Sequence, residues 1–418
     1  MAIDLQLCRK GHLLKMTRKN LDQGPWKGAN WWVSQFNFDE QVTARTGLQG
    51  RKVFFHDSTL RDGEQAPGIV FSAEQKMEIA KRLSDAGVQY IEAGFPAISE
   101  AEQRSLRAIS EAGLSAKVTC LCRAMEKDID TAKSCGVHGA IIELPVSYPR
   151  LKYQFGWEEQ AVIEKALRVT EYAKSKGLAV YLFMIDSTRA HEEFLEELTK
   201  TVTASGCVDR LSVVDTNGCA SPEGMGHLVK KIKGWVDVPV EVHCHNDFGL
   251  GVANSISGVE NGAGSVSTTL SALGQRAGNT CLEELVMALT CLYGVDTGID
   301  MAKLYDVSQI VREWSGWSFP PNSPVVGEKL FTWEAGIPTA ALMKNPFTVE
   351  PILPELFGRS HDVLLGKKSG KANLQWKARE LGLPLDEEKL PAYLDEVKAQ
   401  ATQRQRALTD EEFAAIVR

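Results

Sequence analysis

The chain has 418 residues, 44% hydrophobic and 24% charged, with a formal net charge of −7. That composition is globular and large enough to bury a full core, while the acidic balance without a basic stripe argues against nucleic-acid and membrane partners. Nine cysteines, odd in number and without a CxxC pair, read as reduced buried thiols; with no membrane-length apolar run and no signal-peptide core, the expectation is a cytoplasmic protein.

Residues 1–50 read as an irregular N-terminal arm. Its basic piece at 9–19 is a solvated tail, and Trp26, Trp31 and Trp32 are suited to docking the arm onto the body or a partner subunit. From 51 to 295, β-rich apolar runs alternate with amphipathic stretches. Strands are expected at 53–56, 90–93, 118–121, 140–143, 179–183, 211–214, 240–243 and 265–270, with helices at 72–86, 99–112, 158–176 and 192–204. Ser72 with Gln75 makes a capping box, and Gly87 and Gly177 sit where helices stop. Eight such units predict an α/β fold, a (β/α)8 TIM barrel. A doubly wound open sheet should carry a glycine-rich phosphate loop after its first strand, and 57–68 is not one. Residues 296–360, with prolines at 320, 321, 324, 346, 351 and 354, read as an extended linker subdomain. Residues 361–418 read as a C-terminal helical subdomain, with helices at 372–381 and 391–406.

The strand ends carry the chemistry. The first runs into FFHDSTLRDGEQAPG (54–68), which gathers Asp57, Asp62, Glu64 and Arg61 where a buried strand finishes. Such groups are costly to desolvate unless paired or holding a metal. The seventh ends in HCHND, whose His243 and His245, two apart on an extended segment, face one point. With Asp62 from the first strand they form a site suited to a divalent metal. The eighth is followed by LGQRAGNT, where Asn279 can offer a carbonyl oxygen or cap a helix. Asp215-Thr216-Asn217-Gly218 and Glu92-Ala93-Gly94 close the sixth and second. Arg61 is placed to grip a carboxylate bidentately, and Gln65 lines the same pocket.

The first of these stretches resembles the DxTLRDGEQ signature of the DRE-TIM metallolyase superfamily. HCHND, DTNG, GQRAGNTCLEE and, further on, LGKKSG (365–370) resemble its isopropylmalate synthase and homocitrate synthase branch. The likeness implies a divalent cation (Mg2+, Mn2+ or Zn2+) held by Asp62, His243, His245 and Asn279. It implies a 2-oxo acid bound by Arg61 and Thr216, and a second-strand carboxylate at Glu92. Tyr148 and Lys152 fall in a fourth-strand loop that contacts substrate in relatives. The implied reaction condenses an acyl-CoA, with acetyl-CoA the expected donor, with a 2-oxo acid, in a homodimer whose C-terminal segments cross between subunits. The alternatives are a 2-oxo-acid aldolase or lyase on the same metal platform, and a ligand-binding protein without turnover.

The chain departs from that branch where protons are handled. Ile185 stands at the branch's fifth-strand glutamate, Trp333 and Pro338 stand at its later histidines, and Gln275 replaces the glutamate of its GERAGN turn. Isoleucine, tryptophan and proline cannot act as a general base. The substitutes considered are Asp186, Glu64, Glu334 and His191, which either faces the pocket or simply starts the following helix. The lyase cysteine of the superfamily would fall near Leu270, with Cys281 on the wrong side. The sequence also stops short of the regulatory domain of leucine-sensitive relatives, so feedback through such a domain is not expected.

Overall fold

Runs such as AVYLFMI and VEVHC suit strands buried on both faces, because β-branched and aromatic side chains pack well on a pleated surface. In the computed structural model, which describes residues 20–418, eight strands pair in parallel and in chain order. They are β1 (Phe54–Asp57), β2 (Tyr90–Glu92), β3 (Lys117–Arg123), β4 (Gly139–Pro145), β5 (Ala179–Ile185), β6 (Arg210–Asp215), β7 (Val240–Cys244) and β8 (Ser265–Thr268). Pairing of β1 with β8, Phe54 opposite Ser265 and Asp57 opposite Thr268, closes the barrel. The strands lie within two residues of the positions expected from the sequence.

A short arm helix, α1 (Glu40–Thr46), precedes the helices that follow each strand: α2 (Ala73–Asp85), α3 (Glu100–Glu111), α4 (Glu126–Ser134), α5 (Glu159–Ser175), α6 (Glu192–Ala204), α7 (Pro222–Trp235), α8 (Gly251–Glu260) and α9 (Leu282–Tyr293). The capping box at Ser72 and Gln75 forms as expected. Alternation along the strands divides the core. Leu121, Ile141, Tyr181 and Phe183 fill the barrel interior, while their neighbours Cys120, Ile142, Leu182 and Met184 pack beneath the helices. This alternation decides which strand-end residues point into the mouth.

Lower in the barrel the interior is ionic. Glu241 accepts hydrogen bonds from Arg210 Nη1 (2.8 Å) and Ser212 Oγ (3.0 Å) and lies 3.1 Å from His56 Nδ1. Arg210 stacks between Tyr90 and Tyr181. Burial would raise the Glu241 carboxyl, but His56 and Arg210 hold it well below the usual range.

Beyond β8 the structure corrects the sequence reading. The linker expected to be extended over 296–360 contains a four-turn helix, α10 (Met301–Ser315), capped by the Asp300 carboxylate on the amides of Ala302 and Lys303. Its Met301, Leu304, Val307 and Val311 are buried in the main core, so tertiary packing overrides the proline-rich composition of the segment as a whole. The irregular chain is confined to shorter stretches, with a two-stranded sheet of β9 (Thr332–Trp333) and β10 (Asp362–Val363) and the helix α11 (Gly336–Leu342). Helices α12 (Lys371–Glu380), α13 (Leu390–Arg404) and α14 (Asp410–Val417) share a separate apolar cluster with Leu374, Val397 and Phe413 at its centre. The arm, expected to be irregular, carries α1, capped by Asp39. It docks on its own chain: the Trp32 amide donates to the Pro351 carbonyl and the Leu353 amide to that of Asn30, each at 2.8 Å. Cys8 and the basic piece at 9–19 lie outside the described residues.

Truncating Arg210 to alanine leaves Glu241 buried with only His56 and Ser212. Arg210→Ala is therefore expected to cost about 3–5 kcal/mol in denaturant unfolding, and a loss below about 1 kcal/mol would show that the pair is dispensable.

Candidate active site

The three carboxylates of the first strand end meet three different environments. Asp57 is fully buried: its Oδ1 accepts from the Thr59 amide (2.9 Å) and its Oδ2 has no partner. Burial, with Glu283 and Glu92 nearby, pushes its carboxyl up to about 7. Glu64 lies outside the cluster described below; it pairs with Lys76 Nζ (2.6 Å) and accepts from the Phe71 amide. Asp62 faces the barrel mouth.

There Asp62 Oδ2 lies 3.2 Å from His243 Nε2 and 3.7 Å from His245 Nε2, and the two imidazole nitrogens are 3.4 Å apart. Both histidines are oriented from behind. His243 Nδ1 lies 2.8 Å from Ser267 Oγ, and His245 Nδ1 lies 3.1 Å from the Gly278 carbonyl oxygen. A carbonyl only accepts, so His245 carries its proton on Nδ1 and presents a lone pair at Nε2. Burial and the neighbouring His243 push His245 down to about 4, which keeps it neutral at physiological pH. Burial would raise Asp62, but Arg61 and the neighbouring His243 hold it ionised, well below the usual range. Asn279 pairs with His245 across a backbone bridge and spends its amide nitrogen on the Leu273 carbonyl (3.0 Å). Its Oδ1 is left buried without a partner. A carboxylate, two imidazoles and an orphaned amide oxygen make a donor set that fits a divalent cation.

The turn that carries Asn279 is fixed by backbone geometry. Gly278 has φ +79°, and a Cβ there would overlap the Ala272 carbonyl, so only glycine lets the turn pass. Arg276 latches it to the neighbouring strand ends through Asp247 (2.8 and 3.0 Å) and the Thr216 carbonyl (2.6 Å). Gln275 Nε2 donates to Gln65 Oε1 (2.7 Å), joining the first and eighth strand ends across the mouth.

Beside the cluster, Arg61 Nε donates to Glu92 Oε1 (2.6 Å), and Ser58 holds the other Glu92 oxygen. Arg61 Nη1 lies 3.5 Å from Asp62 Oδ1, and Nη2 is buried and unpartnered. Glu92 therefore aims Arg61. The Thr216 hydroxyl accepts from the Asp186 amide (2.8 Å), which leaves its own proton to donate.

Other sequence candidates are engaged elsewhere. His191 is exposed at the start of α6; its partners are Glu159 Oε1 (2.8 Å) and the ring of Tyr148, and neither belongs to the cluster. The structure thus favours the helix-start reading of His191 over the pocket-facing one. Tyr148 is exposed and accepts from Lys152 Nζ (2.6 Å), in a separate cleft with Trp157 and His191. Asp186 is ion-paired with Arg189 (2.7 Å). Glu334 is tied to the loop before α12 and to its first turn, where its side chain accepts from the Lys368 amide and its backbone carbonyl from the Asn373 side-chain Nδ2. Ile185 joins the interior apolar cluster, and Trp333 donates to Glu350 (2.6 Å). Sequence reasoning missed Ser267, which the β7–β8 register sets opposite His243, and Glu143, the one charge in the apolar run AIIELPV.

A family model described as HMGL-like matches residues 52–311, and one described as homocitrate synthase post-HMGL domain-like matches 325–405. The chain belongs to the HMGL-like family. Among the relatives of this HMGL-like chain, a homocitrate synthase of Methanopyrus kandleri is 44% identical over 367 residues, 88% of this chain and 92% of the relative. A probable 2-isopropylmalate synthase of Ignicoccus hospitalis is 42% identical over 352 residues, 83% of this chain and 87% of the relative. The crystal structure of hydroxymethylglutaryl-CoA lyase from Pseudomonas aeruginosa superposes with a TM-score of 0.57 at 20% identity. It covers 68% of this chain and 98% of the lyase, a likeness of fold alone.

Asp57 gives the site a measurable pH signature. Its carboxyl is raised in the folded state from 3.8 to about 7, so folding favours the protonated form, and stability should fall as pH rises through this interval. At one pKa unit per 1.36 kcal/mol the effect is about 4 kcal/mol at most. Asp57→Asn should remove that fall and be the more stable protein at pH 8. Parallel melting-temperature profiles for the two proteins between pH 4 and 8 would contradict the assignment.

Proposed function

We propose that the protein is a divalent-cation-dependent synthase that joins the acetyl group of acetyl-CoA to the ketone carbon of a 2-oxo acid. The observation that carries this reading is the meeting of Asp62, His243 and His245 with the orphaned Asn279 Oδ1, next to an arginine with a free buried Nη2. The similarity to homocitrate and isopropylmalate synthases supports it.

Asp62, His243, His245 and Asn279 would hold the cation, which supplies Lewis acidity toward the ketone oxygen of the oxo acid. Arg61 Nη2 and the Thr216 hydroxyl are the donors offered to its carboxylate, and the Glu92–Arg61 pair fixes the guanidinium so that the carboxylate binds in one orientation. Ser267 and the Gly278 carbonyl keep the two imidazoles in position. The bridge between Gln65 and Gln275 sits over the mouth, where it orders the loops that meet the rest of the substrate. A homodimer in the cytoplasm belongs to the same reading and is checked by light scattering of the purified chain.

The test is mass spectrometry of products formed from acetyl-CoA and a panel of 2-oxo acids with Mg2+, Mn2+ or Zn2+. A condensed product is expected for at least one acid and should vanish in Asp62→Ala. The same substitution should abolish the rise in melting temperature caused by the cation, which for the wild type corresponds to about 2.7 kcal/mol at a hundredfold excess over Kd. Absence of product with every pair would overturn the condensation reading in favour of cleavage of a hydroxy acid.

A further inference from the structure

We propose that Glu143 is the general base of the condensation, removing the methyl proton of the acetyl thioester. This rests on the condensation reading above.

Condensation needs a group that accepts a proton from carbon, and the titratable groups around the mouth are nearly all committed. Asp62, His243 and His245 form the cation cluster. Glu92 holds Arg61, Glu64 holds Lys76, Asp186 holds Arg189 and Asp247 holds Arg276. Asp215 receives the Thr188 hydroxyl and the amides of Cys219 and Ala220. Glu143 differs from all of these, because among the described residues only charges at a distance act on it.

Its position is set by register. Glu143 follows Ile141 by two residues on β4, so it lies on the interior face, one step nearer the mouth than Ile141 and level with Phe183. Its Cα partners are Arg123 on β3 and Phe183 on β5. The Phe183 ring lies edge-on to the His243 imidazole, with centroids 5.0 Å apart, and 5.9 Å from the Arg61 guanidinium. Glu143 therefore flanks the aromatic floor on which both the cation cluster and the carboxylate-binding arginine rest. Arg123 does not neutralise it as a close pair, since that guanidinium is forked onto Asp128 at 2.8 and 2.9 Å. Two residues beyond Phe183 on the same strand comes Ile185, an apolar side chain that offers no competing proton acceptor.

The charged groups acting on Glu143 are Arg61, Glu92, Arg150 and Arg123. Burial raises its carboxyl above the ordinary value, Arg61 opposes this, and Glu92 adds to it. A raised carboxylate is a stronger base than a solvated one. In the step, the Glu143 carboxylate takes the methyl proton, and the C–H electron pair becomes the enolate of the thioester. The enolate carbon then bonds to the ketone carbon of the oxo acid, whose C=O pair moves onto oxygen. That oxygen takes up a proton, and Glu143 returns its own to solvent.

Two readouts separate this assignment from the reading it rests on. In wild-type protein with Mn2+, condensation is followed by mass spectrometry, and exchange of acetyl-CoA methyl protons into D2O by NMR. Glu143→Gln should lower kcat about 10²–10⁴-fold, with the KM for the oxo acid and the affinity for Mn2+ each within about threefold of wild type. It should also abolish the exchange and remove the acid limb of the kcat profile, while Glu143→Asp recovers part of the rate. A Glu143→Gln protein that retains more than about a tenth of kcat with the same acid limb overturns the assignment. So does one that raises KM with kcat unchanged, which would make Glu143 a side-chain recognition group. Methyl exchange without condensation, lost in Glu143→Gln, keeps the base and overturns the condensation reading. Neither reaction in the wild type overturns both.

Discussion

The mouth of the barrel is organised around three ligand atoms crowded at one point: Asp62 Oδ2 and the Nε2 atoms of His243 and His245. Bringing a buried carboxylate and two imidazoles this close is unfavourable without positive charge to balance them. Arg61 provides part of that balance and is itself held by Glu92. The rest of the balance falls to the cation that this donor set suits. The surrounding contacts serve this arrangement. Register between β7 and β8 supplies Ser267 behind one histidine, and the glycine turn supplies a carbonyl behind the other. Arg276 ties that turn to the ends of β6 and β7.

The barrel carries an interior divided by charge. Toward the bottom, Glu241 is satisfied by Arg210, Ser212 and His56, so its charge is fully committed to structure. The middle is filled by aromatic and aliphatic side chains. Near the top, Glu143 and Arg61 Nη2 keep free polar atoms at the edge of that filling. Uncommitted polar groups of this kind cost stability, and their concentration at one end of the barrel is what a binding and catalytic face requires.

Much of this was legible in the sequence because it follows from short-range periodicity. Alternation and capping gave all eight strands, and the two-residue spacing of His243 and His245 on an extended segment gave the meeting of both imidazoles with Asp62. What escaped depended on contacts distant in sequence. For His191 the sequence left open a pocket-facing or a helix-starting side chain; in the fold it turns to Glu159, 32 positions away. The helix α10 was hidden by the prolines that follow it from 320 onward, because its apolar stripe gains meaning only against the main core. Glu143 was visible as a charge interrupting an apolar run, but its lack of partners is a property of the assembled barrel. Asp57 and Asp62 stand five residues apart in one acidic stretch. Burial opposed only by the Thr59 hydrogen bonds for the first, and Arg61 with His243 for the second, sends their protonation in opposite directions.

Asp62, His243, His245 and Asn279 are proposed to bind one divalent cation together. Anomalous diffraction from crystals soaked in Mn2+ would locate that cation. One strong peak is expected at the barrel mouth, about 2.0–2.3 Å from a ligand atom of each of the four residues. No peak there at saturating Mn2+, or a peak that leaves the Asn279 oxygen and either histidine uncoordinated, would contradict it.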